Sequence, residues 1–212
     1  FGNALGIQSN GSLLVAGTAV VSGRRGFGAT RWTSSGSFDT SFGQGGFVYA
    51  QPSSLEVVGN AIAVRSDDSS VMGGYVEEGA STRFALVGMD SSGQPDATFG
   101  ANGIVTTSFA DGPSYLAGLA SLPGNLLVAA GYMTGGDGIN RVALAAYNRD
   151  GSSNTTQWTG GKLVWNTEDT VQRQVVGVAY DSANARLMTV VTWTDDVSIR
   201  IGVGAYSYPT AP

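Results

Sequence analysis

The chain contains no cysteine and no histidine among its 212 residues. Their absence excludes Ser-His-Asp and Cys-His catalysis, as well as zinc sites of the usual histidine or cysteine kind. Charged residues make up only 13%, the formal net charge is −5, and the pI is near 4.5. Because a nucleic-acid binder needs a basic surface to displace counterions, this acidic balance argues against a nucleic-acid partner.

Long apolar runs and long amphipathic helical patterns are also missing. No run of about 18 apolar residues is present, so we expect no membrane span. The chain has instead 32 glycines and many short runs rich in valine, serine and threonine, which favour short strands joined by tight turns. It begins with Phe1 rather than methionine, and we therefore expect a processed or truncated chain.

An internal repeat of about 57 residues runs along the chain. Gly17, Gly74 and Gly131 end equivalent apolar runs 57 residues apart, and Phe42 and Phe99 have the same spacing. Each unit contains four strand-like runs, here called a to d, and a divergent fourth unit lacks run d. Four antiparallel strands per repeat are typical of a β-propeller blade. The sequence therefore predicts an all-β propeller of about four repeats, at approximately 1–51, 52–110, 111–168 and 169–212, with the last blade lacking its outer strand.

The expected strand bounds follow the repeat. Run b ends at the repeated glycines, and run c begins at Phe27 in the first unit. The innermost and outermost runs are bounded as follows: run a covers Ala4–Gln8, Ala61–Arg65, Ala117–Leu122 and Val175–Tyr180, and run d covers Gly46–Ala50, Gly103–Thr107 and Lys162–Asn166.

Residues 36–46 read Gly-Ser-Phe-Asp-Thr-Ser-Phe-Gly-Gln-Gly-Gly, and residues 93–103 are a second copy. Both stretches resemble the signature of the bacterial delta-sixty repeat family, and residues 4–11 resemble that family's Ala-Leu-Ala-Ile-Gln-x-Asp-Gly segment. The likeness fades in the third unit, where Gln157-Trp158-Thr159-Gly160 replaces Thr-Ser-Phe-Gly, and the fourth unit lacks the signature. The resemblance implies a secreted or surface-displayed bacterial propeller, generally without assigned catalysis.

Four blades with one strand missing make an incomplete ring, which exposes strand edges and apolar faces to pairing with other chains. Three arrangements remain open. The chain is the C-terminal part of a longer propeller completed by an N-terminal strand, or two copies form an eight-bladed ring, or the chain closes as a compact four-bladed propeller. The expected partners therefore include the remaining blades of the same protein or a second copy.

We expect ligand recognition at the end of the propeller where the b–c and d–a loops emerge, because variable loops carry binding residues. The b–c loops place an arginine at an equivalent position in each unit, with gaps of 58, 58 and 59 residues. Either these arginines form a ring that holds an anionic group, or they pair across their own hairpins with acids just upstream. Those acids are Glu77, Glu78, Asp137, Asp195 and Asp196. The first loop has no acid, so its two arginines are expected to stay unpaired. The candidate ligand-binding residues are Arg24, Arg25, Arg83, Tyr115, Arg141 and Arg200.

Aromatic residues near this end have two interpretations. Tyr115 is predicted to lie in a loop over residues 111–115, where its ring is available to stack on a sugar. Tyr75, Tyr132 and Trp193 follow strand b and are expected to be more buried, filling gaps between blades.

The delta-sixty-like signature is expected to have a structural role. We predict that Asp39 and Asp96 accept hydrogen bonds from turn amides, and that Phe42 and Phe99 fill the space between blades. The Asp-x-Asx spacing of an oxygen-ligand calcium loop is missing.

These observations favour a non-catalytic extracellular recognition or adhesion module that binds a glycan or a surface protein. One alternative is a propeller that cleaves glycans with a pair of carboxylates, although the four a runs offer no carboxylate for the central channel. The other alternative is a structural spacer in a bacterial surface assembly. No catalytic residue, cofactor or metal is assigned.

Overall fold

The computed structural model describes residues 1–53, 56–79, 81–110, 112–165, 170–194 and 199–207, apart from the side chain of Glu78. Two short 3-10 turns, Pro123–Asn125 and Thr159–Gly161, are the only helical segments in these ranges. The strands are β1 Gly2–Ile7, β2 Leu13–Val21, β3 Arg24–Trp32, β4 Phe47–Ala50, β5 Val57–Val64, β6 Ser70–Glu78, β7 Ser81–Met89, β8 Ile104–Thr107, β9 Ser114–Leu122, β10 Leu126–Thr134, β11 Asn140–Tyr147, β12 Lys162–Val164, β13 Gln172–Asp181, β14 Arg186–Thr194 and β15 Ile199–Ser207.

The strands form four antiparallel sheets in simple sequence order. The first three sheets have four strands each, β1–β4, β5–β8 and β9–β12, and the described part of the fourth has three, β13–β15. We call these sheets blades 1 to 4. The all-β propeller of about four blades predicted from the sequence is therefore confirmed, and the last blade has no fourth strand among the described residues.

The core lies between consecutive blades. Blade 1 contributes Phe27 and blade 2 contributes Met72 to the first apolar cluster. The second cluster joins Phe84 of blade 2 to Leu119 of blade 3, and the third joins blade 3 to blade 4. Face-to-face packing of successive four-stranded sheets is the arrangement of a β-propeller.

Strand a begins two to four residues earlier in every blade than the sequence predicts. A register shift in each a–b strand pair accommodates the extra residues, as between Gly59 and Ala61 in blade 2. At the shift, the carbonyl oxygen of Val58 approaches Gly74 so closely that a Cβ there would overlap it. Gly17 and Gly131 occupy the same position in blades 1 and 3. Close backbone approach therefore explains the repeated glycine.

Strand d begins one residue later than predicted in blades 1 and 2, at Phe47 and Ile104. In blade 3 it begins at Lys162 as predicted but ends at Val164, before Trp165, and the predicted end at Asn166 lies outside the described residues. Within the described residues, no helix is long and apolar enough to cross a membrane.

Candidate functional site

The two ends of the propeller carry different connections. At one end, Arg25 in the b–c hairpin of blade 1 forms a salt bridge with Glu56, which directly precedes β5. At the other end, the side-chain amide of Gln8 donates to the carbonyl of Asp68 at 2.9 Å and to that of Ser91 at 3.2 Å. The b–c and d–a loops thus meet at one end, here called the loop end. The a–b turns and c–d connections meet at the signature end.

Arg24 and Arg25 are both exposed at the loop end. The expectation that Arg25 stays unpaired is wrong, because Glu56 of the following blade binds its guanidinium. The prediction considered only acids of the same hairpin, and Glu56 lies 31 residues away along the chain. Arg24 makes no salt bridge within the described ranges, and its carbonyl accepts a hydrogen bond from the Tyr49 hydroxyl at 2.9 Å.

Arg141 pairs with an acid of its own hairpin, as one of the two interpretations predicts. Its Nη1 lies 2.9 Å from Asp137 Oδ1, and its Nη2 contacts the other carboxylate oxygen. The hydrogen bond from Arg141 holds the pKa of Asp137 well below its usual range. The carboxylate therefore stays ionised and the arginine charge is locally neutralised.

Arg83 is half-buried in the b–c hairpin of blade 2, opposite Val76. Arg200 is exposed near the start of β15. The acids predicted to pair with them include the side chain of Glu78, Asp195 and Asp196, and these lie outside the described residues.

Arg200 contributes to a pocket of about 400 Å³ beside the junction of blades 3 and 4. Trp165 and Trp193 line the same pocket, together with Arg173. The Arg173 guanidinium lies 5.8 Å from the centre of the Trp165 ring, a cation–π arrangement. Sequence reasoning selected Arg200 but missed Arg173, which follows no repeated pattern.

Three tyrosines from two blades form one cluster at the loop end. The rings of Tyr115 and Tyr132 stack with their centres 4.9 Å apart and their planes at 22°. The ring of Tyr75 in blade 2 meets Tyr115 edge to face, at 5.1 Å and 77°. All three tyrosines are half-buried.

Carboxylates stand beside this tyrosine cluster. Burial raises the pKa of Tyr75, and the nearby negative charges of Glu77 and Glu56 act in the same direction. The backbone amide of Glu77 donates to the carbonyl of Glu56 at 2.9 Å, which holds the two residues side by side. Glu77 is exposed. The loop end therefore combines aromatic surface with hydrogen-bond acceptors.

Tyr115 lies on the innermost strand and not in a loop, contrary to the sequence prediction. β9 begins at Ser114, and Tyr115 pairs in register with Tyr132 on β10. Tyr75 and Tyr132 are 57 residues apart and occupy equivalent positions of their blades, as the sequence predicts. The contact of Tyr132 with Tyr115 lies within blade 3, whereas the contact of Tyr75 with Tyr115 depends on the packing of two blades and has no signal in the sequence.

The signature end has the structural roles predicted for it. Asp39 accepts a hydrogen bond from the Ser41 amide at 2.9 Å, and Asp96 accepts one from the Thr98 amide at 3.0 Å. Phe42 is fully buried at the junction of blades 1 and 2. Phe99 is the buried equivalent at the next junction, between blades 2 and 3. In the described part of the chain, no three acidic side chains are grouped as a metal site.

The fold thus defines a β-propeller with an aromatic cluster at its loop end. Residues 8–42 match the model of a family described as "Domain of unknown function (DUF5122) beta-propeller". This stretch covers β2, β3 and most of the first signature. No curated protein matches the chain.

Proposed function

We propose that the chain is a non-catalytic recognition module that binds a glycan at the tyrosine cluster of its loop end. The observation that carries this proposal is the stacking of Tyr115 on Tyr132 with Tyr75 against their edge. Aromatic side chains combine a large apolar face with a polar tip, and they often line small-molecule sites. The apolar face of a sugar ring suits such a surface, and its hydroxyls suit the neighbouring carboxylates.

The charge around the cluster favours a neutral glycan over an acidic one. Glu56 and Glu77 lie beside Tyr75, and Glu56 already pairs with Arg25. An added carboxylate or sulfate would be repelled by the exposed Glu77, and the nearby Arg25 already pairs with Glu56. Hydroxyl groups of a neutral sugar could instead donate hydrogen bonds to these acids.

The proposal assigns no catalytic step. A glycosidase acid needs a raised pKa so that it holds a proton at neutral pH. In the described part of the chain, every aspartate whose pKa departs clearly from its usual value has a lowered pKa. Hydrogen bonds from Ser41 lower the pKa of Asp39, and hydrogen bonds from Ser152 lower that of Asp150. Such carboxylates serve as fixed acceptors in turns.

We propose an extracellular setting, at or outside a bacterial surface, on the strength of the delta-sixty-like stretches at residues 36–46 and 93–103. The absence of cysteine is compatible with this setting, because many secreted bacterial proteins are stable without disulfides.

A glycan array tests the proposal with Tyr115→Ala as the decisive variant. We expect the wild-type chain to bind neutral oligosaccharides and Tyr115→Ala to lose at least about tenfold in affinity, since ring stacking is removed. Tyr49→Ala is the matched control, because Tyr49 lies on the outer strand of blade 1 and should leave binding unchanged. Equal binding by wild type and Tyr115→Ala would contradict the proposed site, and wild-type binding to acidic glycans alone would contradict the proposed ligand class.

A further inference from the structure

Blades 1 and 4 each expose one apolar sheet face. On blade 4, Ile201 is 74% exposed and Val203 is 64% exposed. On blade 1, Leu5 is 70% exposed and Ile7 is 65% exposed. A groove of about 550 Å³ also opens on blade 1, lined mainly by small residues of β1, β2 and β3. Apolar area of this extent on two sheet faces indicates interaction surfaces.

The repeat shows what covers the exposed face of blade 4. Ile201 occupies the position that Phe27, Phe84 and Val142 hold in blades 1, 2 and 3, and those three side chains are fully buried. Phe27 and Phe84 belong to the apolar clusters that join their own blade to the next one. The face of blade 4 is therefore the half of a blade junction that receives a following blade.

The exposed face of blade 1 is the other half of the same kind of junction. Leu5 occupies the position of Ile62 in blade 2 and of Leu119 in blade 3. Ile62 is buried against blade 1, and Leu119 is buried against blade 2. The face of blade 1 therefore fits a preceding blade. The exposed faces of blades 4 and 1 are complementary, like the two faces that pack together between consecutive blades inside the chain.

Close contacts inside the chain define the register of that junction. A Cβ at Gly73 would lie 2.7 Å from the Leu119 side chain of the next blade, and one at Gly118 would lie 3.0 Å from Val178. Gly177 is the equivalent of Gly118 in blade 4, and a Cβ there would meet nothing within 4 Å. In blade 4, Val190 stands at the position of Gly73. A blade of the same type placed on blade 4 would set its Leu5 equivalent against Val190 and Gly177.

We propose that two copies of this chain associate head to tail, with blade 4 of each copy packed on blade 1 of the other. Two such junctions close a ring of eight blades, within the range of four to eight that propellers commonly adopt. A head-to-tail contact closes only when its rotation fits a whole number of copies. Three copies would give twelve blades, outside that range, whereas two copies cover all four exposed faces.

The new junction does not need the polar links that join the first blades. Ser9 of blade 1 binds Asp68 of blade 2, and Ser66 of blade 2 binds Asn125 of blade 3. Pro123 takes the serine position in blade 3, so the junction of blades 3 and 4 forms without this link and retains its apolar cluster. The proposed junction, like that one, depends on apolar contact.

Light scattering of the full chain gives the first test. We expect a mass twice the 21.7 kDa of one chain at micromolar concentration. A folded monomer overturns the proposal, and so does a polydisperse series of larger species, because head-to-tail pairing would then continue without closure.

Pairs of introduced cysteines test the register of the proposed junction. The chain has no native cysteine that could form competing disulfides. The variant carrying both Leu5→Cys and Val190→Cys should form a covalent dimer on mild oxidation. An intramolecular disulfide would instead mean that one chain closes on itself, which overturns the proposal. Crosslinking of either single-cysteine variant would indicate pairing of like faces and also overturns it. A non-covalent dimer that fails to crosslink as the double variant overturns the head-to-tail register.

Substitution of the exposed face of blade 4 completes the test. Ile201→Asp combined with Val203→Asp should convert the dimer to a monomer, while Ala97→Asp, at an exposed signature position, should leave the dimer intact. Circular dichroism checks that both variants remain folded, and the cysteine experiment stands independently if the double variant unfolds. A dimer that survives the blade 4 substitutions overturns the proposal.

Discussion

The carboxylate of Asp68 in blade 2 accepts two hydrogen bonds from Ser9 in blade 1, one from its amide at 2.6 Å and one from its hydroxyl at 2.5 Å. The same link recurs one blade further, where Asn125 accepts from the amide of Ser66 at 3.2 Å and from its hydroxyl at 2.7 Å. Asp68 and Asn125 both have a positive φ, of 60° and 59°. A side-chain oxygen from a residue with left-handed backbone therefore links blade 1 to blade 2, and blade 2 to blade 3, at the signature end.

Removal of the Asp68 side chain should weaken the junction of blades 1 and 2. Asp68→Gly keeps the left-handed backbone accessible and removes both acceptors, so we expect a loss of about 1 kcal/mol in the free energy of unfolding. Asp68→Asn is the control, because asparagine serves the same link at position 125 and should cost less. Urea denaturation measures both. A loss for Asp68→Asn as large as that for Asp68→Gly would contradict the acceptor role.

Alanine substitutions at Gly93 and Gly36 distinguish the cost of packing between blades from the cost of backbone strain. Both occupy the same turn of their repeats with φ of 84° and 83°, but a Cβ at Gly93 would lie 2.6 Å from the Phe42 ring of blade 1, whereas one at Gly36 meets nothing within 4 Å. We expect Gly36→Ala to cost about 1 kcal/mol from strain alone, and Gly93→Ala to cost about 1–3 kcal/mol more from overpacking. Thermal unfolding of the two variants gives the comparison. Equal losses of stability in the two variants would show that the Phe42 ring can move away from the added methyl group without cost.

The repeat made the fold predictable, and local patterns also predicted several contacts. Equal spacing of Gly17, Gly74 and Gly131 indicated the blades before any contact was known. The signature predicted the hydrogen bond from the Ser41 amide to Asp39 correctly, because both residues lie in one turn.

The candidate site was predictable only where partners share a hairpin. The pairing of Arg141 with Asp137 follows from a spacing of four residues. Arg25 pairs with Glu56 of the next blade, and Tyr75 meets Tyr115 across a blade junction. These contacts depend on how two sheets pack, which the period of the sequence does not specify.

Acid should weaken the same junction that Ser9 and Asp68 hold together. The hydrogen bonds from the Ser9 hydroxyl and amide hold the pKa of Asp68 below its usual value. A carboxylate with a depressed folded pKa stabilises the fold above its unfolded pKa, and this contribution is lost as the pH falls through the folded value. The urea midpoint should therefore be nearly flat from about pH 7 to pH 5 and should decrease below about pH 4.

Asp68→Asn supplies the control for this pH dependence, since it removes one titrating group and keeps an acceptor. Its midpoint should fall less steeply between about pH 4 and pH 2 than that of the wild type. Parallel curves for the two proteins would show that Asp68 contributes nothing to the acid transition.

Arg65 is the least satisfied buried charge in the described chain, and its replacement should stabilise the fold. Its side chain is 2% exposed, and no guanidinium nitrogen has a hydrogen-bond partner among the described residues. The group stacks over the Phe99 ring at 5.1 Å. Burial, with a smaller contribution from the charge of Arg149, lowers its pKa to about 10. An unpaired buried cation costs free energy that a neutral residue of suitable shape avoids.

Glutamine is the replacement that the repeat itself suggests. Gln8 holds the equivalent position in blade 1, where its amide donates to two carbonyls of blade 2. We expect Arg65→Gln to raise the free energy of unfolding at pH 7 by about 1 kcal/mol. Because the folded pKa of Arg65 lies below its unfolded value, the penalty in the wild type is relieved as the pH rises above 10. The difference in urea midpoint between the two proteins should therefore narrow in that range. A destabilised Arg65→Gln variant at pH 7 would instead mean that the attraction of Arg65 to Asp67 and Asp96, together with its stacking on Phe99, outweighs the cost of its burial.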